Sequence, residues 1–361
     1  MFRRRLLALI AARAAARIAA RAAAAVLVTA LSLSGCKIET SAGSPAAGDS
    51  TASGYTGSGV TSRAGSLITE PGAGFSPVYA LINGARHSID LTMYELSDHV
   101  AEDDLAAAAR RGVSVRIVLD RKEERTNSAA YRYLGSHGVK ITWSSARYQY
   151  THQKTMVIDG SQAVIMTANL TSTYYQTSRD FLVTDASQAD VSAIISVFNA
   201  DFAHTRITPG DGQDLVWSPT DAQDRLLGVI NGAAHSLRIY SEEMADSTVE
   251  KALIKAAHRG VDVQVCGENT GGQYDRAFTK LAQGGVHVSY YSSPNGFYIH
   301  GKVIAADYGS AQAKVFIGSE NFSSTSLNRN RELGLITANG TVMTSIARTF
   351  AADFRNGTQW R

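Results

Sequence analysis

The sequence predicts an α/β protein made of two copies of one unit, with a shared site where the copies meet. Three observations predict it. First, segments recur at a constant offset of 148 residues. Leu67–Pro71 returns as Leu215–Pro219, Ile82-Asn83-Gly84 as Ile230-Asn231-Gly232, and Arg111-Gly112-Val113 as Arg259-Gly260-Val261. His87, Glu95 and His152 return as His235, Glu243 and His300. Two long units at one offset are a duplication, not a solenoid. Second, strand-like runs alternate with runs of helical period, which argues for helices layered on a largely buried sheet. Third, HQKTMVID at 152–159 returns as HGKVIAAD at 300–307.

Each copy reads the same way along its length. Ile89–Tyr94 and Val113–Asp120 are expected as strands. The helix between them, over EDDLAAAARRG, should stop at Gly112, because glycine takes the left-handed turn that ends helices. Glu102-Asp103-Asp104 favours that helix's N-terminus. A helix at Ser128–Ser136 precedes a strand at Val139–Trp143. Strands follow at His152–Asp159, Ala163–Thr167 and Asp180–Thr184, then a helix at Asp190–His204. The second copy repeats this order and closes with a helix at Val342–Phe354.

The start of the chain differs from its body. Of 361 residues, the first 35 hold six arginines and no acid, with an apolar run from Ala22 to Leu33. A basic start, a short apolar core and small residues before a break read as an export signal over 1–35. Leu33-Ser34-Gly35-Cys36 resembles the lipobox of bacterial lipoproteins, which implies lipidation at Cys36 and a place on the outer face of a bacterial membrane. A transit peptide, or a secretory signal with an incidental cysteine, is the alternative; Arg3-Arg4-Arg5 hints at twin-arginine export.

Residues 36–65, rich in Gly, Ser, Thr and Ala, cannot bury enough surface to fold and read as a flexible tether. The two copies then occupy 66–208 and 209–361. Without residues 1–35, 29 basic residues face 32 acidic ones, a net charge of −3. A duplex-DNA binder should keep a basic surplus, so only a local basic cleft would serve nucleic acid. With Cys36 lipidated, Cys266 has no disulfide partner; in the strand-like VDVQVCGE it reads as a buried small apolar residue.

The paired motif carries the chemistry. Residues two apart on a strand face one side, so His152 with Lys154, and His300 with Lys302, should point into one cleft, with Gln153 turned away. Asp159 and Asp307 fall near the strand ends and should serve backbone groups. Each copy then offers an amide, Asn169 and Asn321, able to donate to phosphoryl oxygens. Eleven residues later comes an acid, Asp180 and Glu332. A carboxylate on the distal nitrogen of an imidazole fixes its tautomer and raises its basicity. One imidazole can then attack phosphorus, the other can protonate the leaving oxygen, and two ammonium groups can hold the phosphate charge. The sequence does not assign these roles, since both copies carry a full set. HExxH and clustered Cys/His spacings are absent, so no metal or other cofactor is expected.

This order, HxKx4D with GSxN and a later acid, resembles the phospholipase D superfamily over about 67–185 and 215–337. HGKVIAAD through GSENFSSTSLNRNRELG fits that pattern, with ten residues between Asp307 and Gly318 against six between Asp159 and Met166. The first copy departs in Met166-Thr167 for Gly-Ser and in Asp180 for Glu. The resemblance implies two pseudo-twofold-related lobes, each a mixed sheet flanked by helices, with the active site at their interface. It also implies a metal-independent double displacement through a phosphohistidine. His152 would be the nucleophile, and His300 the general acid and later the base. Lys154, Lys302, Asn169 and Asn321 would bind phosphoryl oxygens, helped by the hydroxyls of Thr167 and Ser319.

The remaining candidates are expected to be structural or peripheral. His87 and His235 sit at turns; Glu95 and Glu243 follow the first strand of each copy and serve either scaffold or substrate. Tyr148, Tyr150, Tyr174, Tyr175, Phe297 and Tyr298 crowd the motif and form either a lipid-facing lip or ordinary packing. The membrane tether, acidic body and flanking aromatics favour phospholipid head groups as substrate. An exported nuclease is the alternative, and a non-catalytic surface-binding lipoprotein is a third class. With both motifs in one chain, a monomer suffices.

Overall fold

Short runs rich in Val and Ile build two mixed sheets whose strand order repeats, as the offset requires. The computed structural model describes residues 64–292 and 296–361. The expected export signal, Cys36 and all but the end of the tether lie outside the described residues. In the first sheet the order is β1 (Ala64–Glu70), β7 (Ser178–Asp185), β6 (Gln162–Met166), β5 (Thr155–Ile158), β2 (Ser88–Met93), β3 (Ser114–Leu119) and β4 (Lys140–Trp143). Strands β2, β3 and β4 are parallel and the others antiparallel.

The second sheet runs β8 (Leu215–Ser218), β15 (Glu332–Thr337), β14 (Lys314–Gly318), β13 (Val303–Ala306), β9 (Ser236–Ser241), β10 (Asp262–Glu268) and β11 (His287–Tyr291), with β16 (Thr358–Gln359) added at the edge. Apart from β16, it is the first sheet again. The tether, expected to reach residue 65, gives way at Ala64, because β1 already pairs there with Asp185 of β7.

Helices cover the outer faces and the seam. α1 (Ser76–Gly84), α2 (His99–Arg110) and α3 (Glu124–Ser136) cover the first sheet, and α4 (Gln188–Phe202) returns over its inner side. α5 (Ala222–Gly232), α6 (Ser247–His258), α7 (Asp275–Gln283), the short α8 (Ser324–Arg329) and α9 (Gly340–Asn356) follow in the second half. Asp98 and Asp246 cap α2 and α6, each accepting from two backbone N–H groups of the first turn. Gly112 and Gly260 follow these helices, both at φ 90°.

Side-chain alternation divides the apolar residues between an outer core in each lobe and a shared inner one. On β5, β6 and β7, Met156, Val164 and Leu182 point to the first lobe's outer core. Their neighbours Val157, Ile165 and Phe181 point to the seam, where they meet Trp217, Tyr240, Val303, Ile317, Ile346 and Phe350 of the second lobe. Each such aliphatic side chain contributes roughly 1.5–3 kcal/mol on burial. A continuous layer of them fixes one lobe against the other. Cys266 lies in this layer, fully buried and free of any disulfide.

Candidate active site at the lobe seam

The paired His-x-Lys motifs do not ride on strands as expected. His152, Gln153 and Lys154 precede β5, and His300, Gly301 and Lys302 fall between the two-residue β12 (Tyr298–Ile299) and β13. The reason is that each motif crosses from one lobe to the other. β12 pairs in parallel with Ser178 and Arg179 of β7, and Thr151 bridges Arg331 in the same way. The His300 N–H donates to Arg179 O (3.2 Å) and the Gln153 N–H to Arg331 O (3.1 Å). Asp180 and Glu332 are the next residues along those partner strands, so each histidine arrives opposite the other lobe's acid.

The pairing that results is reciprocal. His152 Nδ1 lies 2.8 Å from Glu332 Oε2, and His300 Nδ1 lies 2.7 Å from Asp180 Oδ1. Both rings are mostly covered, with 13% and 14% of their side-chain surface exposed, enough to reach a substrate and too little to be solvated freely. A carboxylate on Nδ1 leaves Nε2 of each ring as the reactive nitrogen. Burial alone would raise Asp180, but His300, Lys302 and the Thr167 hydroxyl hold it below the usual carboxylate range. Glu332 is lowered likewise by His152, Lys154 and Ser326, against its burial. Ser326 Oγ (2.6 Å) and Asn330 Nδ2 (2.8 Å) donate to its second oxygen.

Lysine geometry also repeats. Lys154 and Lys302 are fully buried, and each Nζ donates to the carbonyl of its own motif histidine at 2.5 Å. Burial and the nearby Lys302 push Lys154 down to about 7. Burial, followed by the charge of Lys154, also lowers His152, outweighing Glu332. Asn169 Nδ2 donates to Glu95 (3.2 Å) and Asn321 Nδ2 to Glu242 (3.1 Å). Glu242 also contacts Lys302 and lies near His300, which puts Asn321 beside them, while Asn169's partner Glu95 lies within electrostatic reach of Lys154.

Two expected phosphate ligands turn away. The Thr167 hydroxyl is fully buried, donates to Asp180 Oδ1 (2.6 Å) and accepts from Phe181 N–H (2.9 Å). Ser319 is equally buried and its hydroxyl is held by the backbone of Leu333, while its carbonyl faces His152 Nδ1 at 3.2 Å. Short side chains at the end of a strand have been drawn into the ladder, so they orient the acid–histidine pairs instead of meeting substrate. Asp159 accepts from the N–H groups of Arg86, His87 and Ser88, and Asp307 from those of Ala234, His235 and Ser236. The recurrence of His87 and His235 marks this turn.

Two buried ion pairs clamp the seam. Arg179, next to Asp180, makes two bonds to Asp353 of α9 (2.7 and 3.0 Å). Arg331, next to Glu332, pairs with Asp201 of α4 at 2.9 Å. Two of the aromatics read as either lip or ordinary packing belong to these clamps: Tyr148 lies under the Arg331 guanidinium at 4.4 Å and Phe297 under that of Arg179 at 5.0 Å. Tyr175 stacks on Phe75 and donates to Asp98 (2.7 Å), leaving Tyr174 exposed.

Sequence comparison fits this duplicated geometry. A family model described as "Cardiolipin synthase, PLD-like domain" matches twice, at residues 78–204 and 226–354. The chain belongs to this phospholipase-D-like family. Among curated relatives, cardiolipin synthase A of Pseudomonas aeruginosa (strain PAO1 among others) is 27% identical over 140 residues, 37% of this chain. That match spans only 29% of the relative's length. Among solved structures, phosphatidylserine synthase of Haemophilus influenzae Rd KW20 superposes with a TM-score of 0.65 at 10% identity, over 81% of this chain and 86% of that one. A polyphosphate kinase of Porphyromonas gingivalis gives 0.63 at 18% identity, over 80% and 50%. At such identities the two structures share the fold alone.

Within the phospholipase-D-like frame, two residues at the site lie outside the sequence expectation. Tyr94 stands edge-on to His152, ring centres 4.6 Å apart, with Lys154 Nζ 4.8 Å from its own ring centre. Glu242 Oε2 lies 2.7 Å from Lys302 Nζ and 3.6 Å from His300 Nε2. Glu243, the residue matched to Glu95 by the repeat, is instead hydrogen-bonded to Ser323. The available signal was the doubled Glu242-Glu243, where the first copy has Tyr94-Glu95.

Proposed function

We propose that this protein is a phosphodiesterase of the phospholipase D type, hydrolysing or transferring phospholipid head groups through a phosphohistidine. The observation that carries the reading is the reciprocal His–carboxylate pairing, which gathers two imidazoles and two buried ammonium groups into one pocket. In the first step the Nε2 lone pair of His152 forms a bond to phosphorus. The bond to the leaving oxygen breaks, and that oxygen takes the Nε2 proton of His300. In the second step His300 Nε2 accepts a proton from water or an alcohol as its oxygen attacks phosphorus. The P–N bond then breaks and returns its electron pair to His152. Lys154, Lys302, Asn169 and Asn321 bind the phosphoryl oxygens, so charge neutralisation comes from the chain's own ammonium groups. Among the described residues no group of three His, Cys, Asp or Glu side chains is placed to hold a metal ion.

Phospholipid is favoured as substrate by the family match and by the cardiolipin synthase relative. Lipidation at Cys36 would hold the catalytic body at a membrane surface; no helix of the described residues is long and apolar enough to cross one. A second reading, a nuclease, is favoured by one feature. A cleft of about 450 Å³ is lined by Lys122, Arg147 and Arg329 with Tyr148, Gln149 and Asn328, and no carboxylate. Such a surface could track a polyanionic backbone.

One assay decides between them. Purified protein is offered phosphatidylcholine or phosphatidylethanolamine vesicles, and plasmid DNA, each with EDTA. Head-group release that persists in chelator, with ethanol able to replace water as acceptor, is expected. Cleavage of DNA with inert vesicles establishes the nuclease, and inertness on both leaves the binding role.

The pH dependence has a defined sign. Lys154 is charged below about 7 and loses its charge above it. His152 must be neutral to attack, and its lowered value allows that in mildly acidic solution. Because kcat/KM reports free-enzyme ionisations, it should fall as pH rises through about 7. A profile still rising beyond pH 8 would contradict the role given to the Lys154 charge.

A further inference from the structure

The two halves of the site are not equivalent, and the break falls at one position. β2 and β9 superpose at the repeat offset, and the residue just past each strand is Tyr94 in the first lobe and Glu242 in the second. Glu242 uses both oxygens. Oε1 accepts from the Tyr298 hydroxyl (3.0 Å). Oε2 lies 2.7 Å from Lys302 Nζ, accepts from Asn321 Nδ2 at 3.1 Å, and stands 3.6 Å from His300 Nε2. That nitrogen is the one Asp180 leaves free.

At the equivalent place in the first lobe stands an aromatic ring. Tyr94 meets His152 edge-on and turns its hydroxyl away to Glu123 Oε1 (3.0 Å). Glu95, one residue later, accepts from Asn169.

We propose that Glu242 is the positioning residue that gives the two histidines different tasks. It holds the proton on Nε2 of His300, ready for the leaving oxygen, while Tyr94 offers His152 a ring that accepts no such proton. This rests on the phosphodiesterase reading and deepens it. Glu242 itself transfers nothing. The proton moves from His300 Nε2 to the leaving oxygen as the P–O bond breaks, and a proton from water returns to Nε2 in the second step. Lys302 and His300 hold Glu242 ionised, well below the usual carboxylate range despite its burial.

Substrate can still bind beside it. An ammonium has three donors. Lys302 gives one to the His300 carbonyl and one to Glu242, which leaves the third for a phosphoryl oxygen. Asn321 likewise keeps one amide hydrogen.

The test exploits leaving-group chemistry. Choline leaves as an alkoxide and needs a proton; p-nitrophenolate leaves without one. Wild type and Glu242→Gln are compared in the first turnover on phosphatidylcholine and on phosphatidyl-p-nitrophenol, with circular dichroism to check folding. The variant is expected to release choline about 10²-fold more slowly. Its burst of p-nitrophenol should stay within about threefold of wild type, since that step makes no use of the general acid. Equal slowing of both substrates, or a change confined to KM, overturns the proposal.

Should Glu242→Gln fail to fold, Glu242→Asp serves. It keeps the charge and should slow choline release selectively but by less; a folded Asp variant that slows both substrates alike overturns the proposal as well. Wild type inert on both phosphatidyl substrates removes the phospholipid reading on which this inference rests. An active wild type with a non-selective variant removes the inference alone.

Discussion

His152→Asn should abolish turnover and His300→Asn should slow it severely, and the double variant should be no worse than the more damaged single one. Loss of the nucleophile is expected to cost roughly 10⁴-fold or more, and loss of the general acid about 10²–10⁴-fold. The two lobes share ownership of the pocket. His152 is oriented by Glu332 and His300 by Asp180, each from the other lobe, at 2.8 and 2.7 Å. Neither lobe holds a complete acid–histidine pair of its own. If each lobe were an independent site, one substitution would leave about half the activity and two would remove it. One site divided between lobes loses nearly everything with the first substitution. Steady-state kcat for the three variants, with circular dichroism as a folding control, separates the cases.

Arg331→Ala should destabilise the protein by about 3–5 kcal/mol, the cost typical of leaving one partner of a buried ion pair alone. Arg331 is 1% exposed and Asp201 6%, so solvent cannot replace the lost partner. The guanidinium also fills the space between Tyr148 and Trp217, so truncation removes packing as well as charge. Its backbone meanwhile pairs with Tyr150 and Gln153 on the approach to His152. The loss should therefore appear both in the denaturation midpoint and in kcat. A midpoint within experimental error of wild type would show that the clamp does not hold the lobes. Arg331→Met, which keeps volume without charge, should recover the packing share of the loss but not the share due to the unpaired Asp201.

Much of this architecture was legible in the chain. The constant offset forced two copies of one sheet, and the strand orders agree from β1 to β7 and from β8 to β15. Helix ends were legible where local chemistry decides them, as at Gly112. The motif's own conformation was not. An extended segment leading into a strand alternates like the strand itself, so His152–Asp159 reads as one element although pairing begins at Thr155. Partner choice was hidden for a different reason. Asp180 lies 28 residues after His152 and Glu332 lies 180 after it, and nothing in the pattern ranks the more distant acid higher. Only the pairing of β12 with β7, and of Thr151 with Arg331, crosses the histidines over.

Hydroxyl roles depend on which way a short side chain turns at a strand end, and Thr167 and Ser319 turn inward to the acid and the ladder. Glu242 was obscured by the repeat itself, since the offset aligns Glu95 with Glu243 and presents those two as the matched pair.

The most direct test of the central claim is to trap the covalent intermediate and locate it. His300→Asn, mixed with phosphatidyl-p-nitrophenol, whose leaving group needs no proton, and quenched in alkali, is digested and its peptides are weighed. A phosphatidyl group on the peptide carrying His152, absent from His152→Asn, is the predicted result. An adduct on a peptide without His152, or none in a variant that still turns over, would contradict it.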